Sequence, residues 1–574
     1  MKTLAQTLTA LVAEASLAAG LDDSGVSLEP VVSTNDPRHG DYQSNHAFRV
    51  ARSRRENPRA LAETLKAELP AHPAVASVAV AGPGFLNFTL ADAWLAEQID
   101  PVVADPQALR APIGAGQRVV IDYSSPNIAK RMHVGHLRST IIGNALHRMY
   151  AWLGYEVIAD NHIGDWGTQF GKLIVAWREA RDEAAYREDA IGELQRLYKL
   201  FGTLAESRPE LADLARAETA KLQEGDADNL ALWRAFVDVS MAEFNGIYER
   251  LGVHFDVVHG ESFYNDRLGA LVDELLKQGI AQPSEGAVII PFAAEDGPGL
   301  ENTPLLVRKR DGAALYGTTD LATVEHRMTT WAPARIVYVT DVRQKLHFQQ
   351  VFAAARKIGW NTDFQHVWFG MLRFADGSIA ATRATNSPSV NLIDVLDEAA
   401  RRAREVVDAK SGHLPESERE AIAEAVGISA VRYADLSQNP QSDIIFDWDK
   451  MLSLQGNTAP YVMYAHARCC SILDKAEGLE VGPVRLTEPA ERDLALAIAR
   501  LPEVAATAAA SNRPNLLCDY AYGLAGTFSS FYLACPVLKA DGELRASRVA
   551  LVRATAAALS ASLKMLGIPA LERM

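Results

Sequence analysis

Two histidines at a strand-to-helix junction are the residues of this chain best placed for chemistry. The β-branched run at 119–121 predicts a buried strand, and apolar residues at helical spacing predict an amphipathic helix over 137–153. His133 and His136 lie between the two, with Gly135 beside them. A helix N-terminus carries unpaired N–H groups and a positive dipole end, so this junction favours a phosphate group. Imidazoles there can donate hydrogen bonds to phosphate oxygens whose charge grows in a transition state, and a glycine lets a flat ligand approach closely. The alternative is that both histidines only cap the helix and pack against it.

The residues that flank the histidines extend this pattern. Residues 124–136 read SSPNIAKRMHVGH, and LRST follows directly. This stretch resembles the nucleotide-binding signature of class I aminoacyl-tRNA synthetases, and specifically that of arginyl-tRNA synthetases. Further blocks similar to that family follow in the same order: NHIGDWGTQFG at 161–171, YGTTDLA at 316–322, YVTDVRQ at 338–344, FDWD at 446–449, GNTAPY at 456–461 and YAHAR at 464–468.

The first two thirds of the chain predict an α/β protein. Residues 1–110 have the pattern of a small α/β unit with a strand pair at 75–80 and 85–90. Residues 111–400 alternate strand-like and helical segments, as a doubly wound nucleotide-binding fold requires. The resemblance implies a Rossmann-type class I synthetase catalytic domain, which we expect at 111–407, and an N-terminal domain that contacts the tRNA.

Two helical regions complete the predicted organisation. A highly charged stretch at about 176–252 interrupts the alternation and is expected to be a helical insertion in the catalytic domain. Residues 408–574 are almost wholly helical in pattern, which predicts an α-helical bundle. In the family this bundle binds the anticodon.

Composition limits the class of protein. The chain has 574 residues, of which 48% are hydrophobic and 22% charged. No apolar run approaches the roughly 18–20 residues of a membrane helix, and no secretory signal peptide is indicated. The four cysteines form no CxxC pair, so neither a zinc site nor a disulfide framework is expected and a reduced, cytoplasmic location fits best. The net charge of −15 argues by itself against a nucleic-acid partner. Basic patches such as 49–59 or 401–404 can still concentrate positive charge locally. The alternative is that these patches are solvated helix faces.

The resemblance implies a two-step reaction that uses ATP, accompanied by Mg²⁺. No structural metal bound by the protein is expected. ATP condenses with the carboxylate of L-arginine, and the arginyl group then passes to tRNA(Arg). His133 and His136 are expected to contact the ATP phosphates, Gly135 to lie under the adenosine, and Met371 to contribute to ATP binding. Lys130 can place a point charge on a phosphate.

Arginine recognition requires acceptors for a planar guanidinium with five donors, ideally carboxylates. The candidate arginine-binding residues are Asp122, Ser124, Asn127, His136, Tyr316, Asp320 and Gln344. Asp320 and Asp122 are the candidate carboxylates, and Tyr316 lies one helical turn before Asp320. The rival interpretation of Asp320 is an N-cap for a helix over 321–327.

The resemblance also implies contacts with tRNA(Arg) at both ends of the chain. The candidate residues are Asn87, Arg54, Arg55, Tyr461 and Arg468. No self-association segment is visible in the sequence, so a monomer is expected.

One segment departs from the family pattern. Arginyl enzymes often carry a loop similar to GKPFKTRAG, whereas residues 376–386 here read DGSIAATRATN, with Ser378 and Ala381 at the lysine positions. Loss of a cation near the pyrophosphate costs about 10²–10³ in rate. Lys130, Arg383 in the loop, or Arg373 can compensate, and we favour Lys130, with Arg383 as a further catalytic candidate.

The altered loop keeps two alternatives open. The chain could be a paralogue of a standard arginyl enzyme, either an inhibitor-resistant copy or a ligase that activates arginine for a small-molecule pathway. It could also be a binding module without catalysis. The presence of both histidines, Lys130, Asp320, Tyr316 and Gln344 argues against this.

Overall fold

The computed structural model describes residues 2–21, 25–34, 36–374 and 391–574. Internal contacts divide the chain into two compact units. One consists of Met1–Ile113 together with Ser453–Met574, and the other is Gly114–Leu452.

The first unit begins with a small α/β region. Its helices are α1 (Leu4–Ala18), α2 (His46–Arg54), α3 (Pro58–Ala67) and α4 (Asp92–Ala104), and its strands are β1 (Val32–Ser33), β2 (Tyr42–Ser44), β3 (Val75–Ala81) and β4 (Phe85–Leu90). The strands form one antiparallel sheet in the order β1-β2-β4-β3. The predicted strand pair is therefore confirmed as the β3–β4 hairpin. Gly84 in its turn has φ +117°, and a Cβ there would lie 2.5 Å from the Pro58 carbonyl oxygen, so only glycine fits.

The second unit contains the parallel sheet expected of a nucleotide-binding fold. Its strands are β5 (Arg118–Asp122), β6 (Glu156–Asp160), β7 (Gln282–Ser284), β8 (Ala287–Ile290), β9 (Leu305–Arg308), β10 (Arg335–Asp341), β11 (Asp363–Phe369), β12 (Leu372–Phe374) and β13 (Ile444–Phe446). Four of them form a parallel sheet in the order β11-β10-β5-β6. The chain adds β6 on one side of β5 and then β10 and β11 on the other side, so the strand order reverses between β5 and β10. In such sheets ligands bind outside the carboxyl ends of the strands where the order reverses. The predicted Rossmann-type fold is confirmed.

Helices cover and interrupt this sheet. They are α5 (Val134–Trp152), α6 (Thr168–Ala180), α7 (Glu183–Glu188), α8 (Ala190–Ser207), α9 (Glu210–Gln223), α10 (Ala227–Leu251), α11 (Asn265–Lys277), α12 (Tyr316–Trp331), α13 (Lys345–Ile358), α14 (Leu392–Ser411), α15 (Glu416–Leu436) and α16 (Trp448–Met451). We call α6–α10 the helical insertion. It is helical as its sequence pattern predicts, although α6 begins before residue 176.

The second unit extends beyond residue 407, where the sequence pattern places the end of the catalytic domain. Helices α14 and α15 pack against each other and against α5. Arg138 of α5 and Asp435 of α15 are both buried and form an ion pair at 2.9 Å. These helices therefore belong to the compact unit that holds the parallel sheet.

The first unit is completed by the C-terminal helices. They are α17 (Ala459–Lys475), α18 (Pro489–Ala499), α19 (Leu501–Ala510), α20 (Asn515–Ala534) and α21 (Gly542–Met565). Arg492 of α18 pairs with Asp41 of the α/β region at 2.7 Å, which ties the two ends of the chain together. In the part of the chain that the structure describes, no helix is long and apolar enough to cross a membrane.

Candidate active site

The residues between β5 and α5, 124–136, form what we call the signature loop. Three of its non-glycine residues have positive φ: Ser124 (75°), Ser125 (49°) and Ala129 (62°). Such conformations are costly and cluster at functional sites. Hydrogen bonds hold the strained backbone, since the Ser124 amide donates to Ser139 Oγ at 2.9 Å and the Ala129 amide donates to Ser240 Oγ at 3.0 Å. The fold therefore fixes this loop at the carboxyl end of β5.

The paired imidazoles lie at the N-terminus of α5. His133 is the N-cap, and its Nδ1 accepts the Gly135 amide at 3.0 Å. Nδ1 of His136 accepts the His133 amide at 3.1 Å. The ring centroids are 4.0 Å apart and the planes make an angle of 30°. Because Nδ1 of each ring accepts a hydrogen bond, the proton of each neutral imidazole is on Nε2. Both histidines therefore cap the helix, and this capping orients both rings so that Nε2 can donate to a ligand.

The charge state of His136 suits a donor rather than a cation. Burial lowers the pKa of its imidazole to about 3, and the neighbouring His133 and Lys130 contribute to the shift. His136 is therefore neutral at physiological pH and offers a hydrogen bond without adding charge to the site.

Lys130 is the cation that lies beside these histidines. Lys130 is three residues before His133 in the signature loop, and its charge helps to lower the pKa of His136. The ammonium also lies 4.9 Å from the centroid of the Tyr198 ring. Arg373 instead forms an ion pair with Asp443 at 3.0 Å. The altered loop at 376–386, including Arg383, lies outside the described residues.

Asp122, one of the two predicted carboxylates, is engaged by the protein. Its side chain is buried, its Oδ2 accepts Arg327 Nη2 at 2.6 Å, and its Oδ1 accepts Ser125 Oγ at 3.0 Å. Arg327 is fully buried and also donates to Asp160 at 2.8 Å. We therefore expect Asp122 to neutralise this arginine rather than to contact a ligand.

Asp320, the other predicted carboxylate, lies in the first turns of α12. It is inside the helix Tyr316–Trp331, whose N-cap is Leu315, so the rival interpretation of Asp320 as an N-cap is wrong. Because α12 leads into β10, its N-terminal end lies towards the carboxyl edge of the sheet. Asp320 Oδ2 is 2.5 Å from His347 Nε2, and Tyr316, one turn earlier, is 69% exposed. The helix start thus presents a carboxylate beside an accessible aromatic ring.

His347 faces this carboxylate from α13. Burial alone would lower the pKa of its imidazole, but the hydrogen bond and the charge of Asp320 outweigh burial, so the pKa is raised above its usual 6.5. A protonated His347 therefore competes with any cationic ligand for Asp320.

Sequence reasoning missed Glu261, a carboxyl group whose titration responds to Asp320. Burial raises its pKa to about 8, and the negative charges of Asp320 and Asp165 add to the shift. Asp165 holds the segment in place, since it accepts the Ser262 amide at 2.8 Å and Ser262 Oγ at 2.6 Å. Gly260 leaves room for that carboxylate, because a Cβ would lie 2.3 Å from it. Glu261 sits in a short 3₁₀ turn, where no periodic pattern signals a site.

The remaining predicted small-ligand residues lie around the same edge. Ser124 Oγ is buried and bonds to Tyr248 Oη at 2.7 Å. The Asn127 side chain lies against Gly164, while Gln344 is exposed in the turn after β10. The Met371 amide follows β11 and donates to an aspartate at 2.8 Å. These positions surround the strand ends, where a nucleotide and an amino acid can meet.

The predicted tRNA-binding residues near the N-terminus differ in accessibility. Asn87 is buried in β4, and its Oδ1 accepts Gln43 Nε2 at 2.7 Å, which favours a structural role. Arg54 at the end of α2 donates to the Gly20 carbonyl at 3.0 Å. Arg55 follows with φ 57° and is exposed.

Those near the C-terminus belong to an aromatic and basic surface. The Tyr461 and Tyr522 rings are 5.4 Å apart, and the Arg468 guanidinium lies 4.3 Å from the Tyr532 ring centroid. Tyr464, between them in sequence, is 49% exposed. Exposed aromatic rings beside arginines can stack on unpaired bases.

A parallel sheet with paired imidazoles at a helix N-terminus beside it is typical of a nucleotide-binding catalytic domain. Family profiles agree with this assignment. The profile described as "tRNA synthetases class I (R), catalytic domain" matches residues 98–448, "Arginyl tRNA synthetase N terminal domain" matches 2–90, and "DALR anticodon binding domain" matches 462–574.

Whole-chain similarity extends this result. An "Arginine--tRNA ligase" of Fusobacterium nucleatum is 46% identical over 95% of both chains, and one of Laribacter hongkongensis is 42% identical over 100% of both. The solved arginyl-tRNA synthetases of Thermus thermophilus and Plasmodium falciparum match with a TM-score of 0.85 each, at 28% and 26% identity, over 100% of both chains. The chain therefore belongs to the arginyl-tRNA synthetase family of class I.

Proposed function

We propose that this chain joins L-arginine to tRNA(Arg) at the expense of ATP. The observation that carries the proposal is the start of α12, where the Asp320 carboxylate lies one helical turn after the exposed ring of Tyr316 and 2.5 Å from His347 Nε2. A guanidinium bound there would find a charged acceptor in Asp320 and an aromatic face in Tyr316.

The first step is attack of the arginine carboxylate on the α-phosphorus of ATP, which forms arginyl-adenylate and releases pyrophosphate. His133 and His136 donate hydrogen bonds through Nε2 to phosphate oxygens, and the N-terminus of α5 adds its dipole. Lys130 supplies positive charge on the other side of the phosphates. Mg²⁺ would arrive on ATP, whose phosphate oxygens are ligands that this ion prefers.

The second step is attack of the terminal ribose hydroxyl of the tRNA on the activated carbonyl. The match to an anticodon-binding domain and the aromatic surface around Tyr461 and Arg468 support tRNA as the acceptor. We further propose that the enzyme acts as a monomer in the cytoplasm, where ATP and tRNA are present. The altered loop left a small-molecule ligase as an alternative. Similarity over the whole chain to proteins named "Arginine--tRNA ligase" supports tRNA charging instead.

The experiment that tests this function is aminoacylation of total tRNA with each of the twenty amino acids, with ATP and Mg²⁺. We expect label in tRNA with arginine alone. Arginine amides formed with another acceptor, without arginyl-tRNA, would instead support the ligase alternative, and no product at all would support a binding module.

A further inference from the structure

Three consecutive residues of the signature loop each contact the helical insertion. The Ala129 amide donates to Ser240 Oγ of α10. The Lys130 ammonium lies over the ring of Tyr198 in α8. The Arg131 guanidinium pairs with Asp189, the N-cap of α8. The insertion thus supports the catalytic part of the loop directly.

Tyr198 is not needed for the buried face of its helix. The buried residues of that helix are the apolar Ile191, Leu194, Leu197 and Phe201, together with Glu193. Tyr198 is half-buried beside them and turns its ring towards the ammonium at 4.9 Å. Asp189 fixes the start of α8, since it accepts the Gly192 amide at 3.0 Å and also pairs with the loop.

We propose that Tyr198 is a positioning residue that holds the Lys130 ammonium in place for the ATP phosphates. A lysine has a flexible stem with several rotatable bonds, so its head needs a contact that limits its motion. An aromatic face provides this without neutralising the charge, as a carboxylate would. The helical insertion therefore contributes to adenylate formation through this ring. The inference rests on the role proposed above for Lys130.

The test is steady-state aminoacylation kinetics of Tyr198→Leu, Tyr198→Phe and Lys130→Ala, and of the Tyr198→Leu/Lys130→Ala double variant. We expect Tyr198→Leu to lower kcat about 2- to 30-fold, the range that corresponds to cation–π energies. The arginine KM should stay unchanged, since the guanidinium pocket is untouched. Tyr198→Phe should retain kcat, because its ring also has a π face.

The double variant separates this inference from the function on which it rests. If Tyr198 acts through the lysine, Tyr198→Leu should change kcat less than about twofold once Lys130 is already alanine. Tyr186→Leu is the matched control, since Tyr186 is in the same insertion but packs on Trp177. The inference would be overturned if Tyr198→Leu lowered kcat equally in the parent and in the Lys130→Ala background, or lowered it in neither. Either result would leave the role of Lys130 intact. Full activity of Lys130→Ala would overturn both.

Discussion

Replacing Asp320 with asparagine tests arginine recognition at a single atom. Asn keeps the shape of the side chain and one acceptor oxygen but removes the charge. Hydrogen bonds that involve a charged group contribute about 1.5–3 kcal/mol, which corresponds to about 10- to 150-fold in KM. The Asp320 side chain is 16% exposed, so solvent screens part of this energy. We therefore expect the arginine KM to rise about 10- to 50-fold.

The ATP KM should remain close to that of the parent in ATP-saturation curves of the same variant, because the imidazoles and Lys130 are unchanged. Stability should fall by no more than about 1 kcal/mol, since the lost pair with His347 is partly exposed. Asp273→Asn is the matched control, because Asp273 pairs with Arg308 at an exposed position. An unchanged arginine KM, or an equal rise in the ATP KM, would refute the assignment of Asp320 to the guanidinium.

Three further predictions follow from the same structure. The pKa of His347 is raised, so its ring is protonated at low pH, where it competes with arginine for Asp320. The ring loses its charge as pH rises, so the arginine KM should fall as pH rises above 6.5. The variant His347→Gln should flatten this dependence of KM on pH. Arg327→Met leaves two buried carboxylates unpaired and should lower the free energy of unfolding by about 3–5 kcal/mol in denaturant titrations, whereas a loss below about 1 kcal/mol would contradict the buried network. Lys130→Ala should reduce kcat more than Arg383→Ala does in parallel assays; equal losses would argue that the altered loop supplies the compensating cation.

The parts of the site that follow local rules could be predicted from the sequence. The strand at 119–121 and the helix after the histidines have clear periodicity, so the strand-to-helix junction was predictable. The same holds for the β3–β4 hairpin. In these cases the decisive interactions lie within a few residues of one another.

Interactions distant in sequence could not be predicted in this way. Asp122 ends its strand as expected, but Arg327, which engages it, lies 205 residues away. Glu261 depends on Asp165 for its position, and neither residue belongs to a periodic pattern. The predicted domain end at residue 407 fails for the same reason. The sequence pattern of α14 and α15 is that of any helical bundle, whereas the Arg138–Asp435 pair that attaches them to the parallel-sheet unit joins residues 297 apart.

A crystal structure with arginine and a non-hydrolysable ATP analogue tests the central claim most directly. We expect guanidinium nitrogens about 3 Å from the Asp320 carboxylate, and phosphate oxygens within hydrogen-bond distance of Nε2 of His133 and His136. A guanidinium bound away from Asp320, or a triphosphate out of reach of both imidazoles, would contradict it.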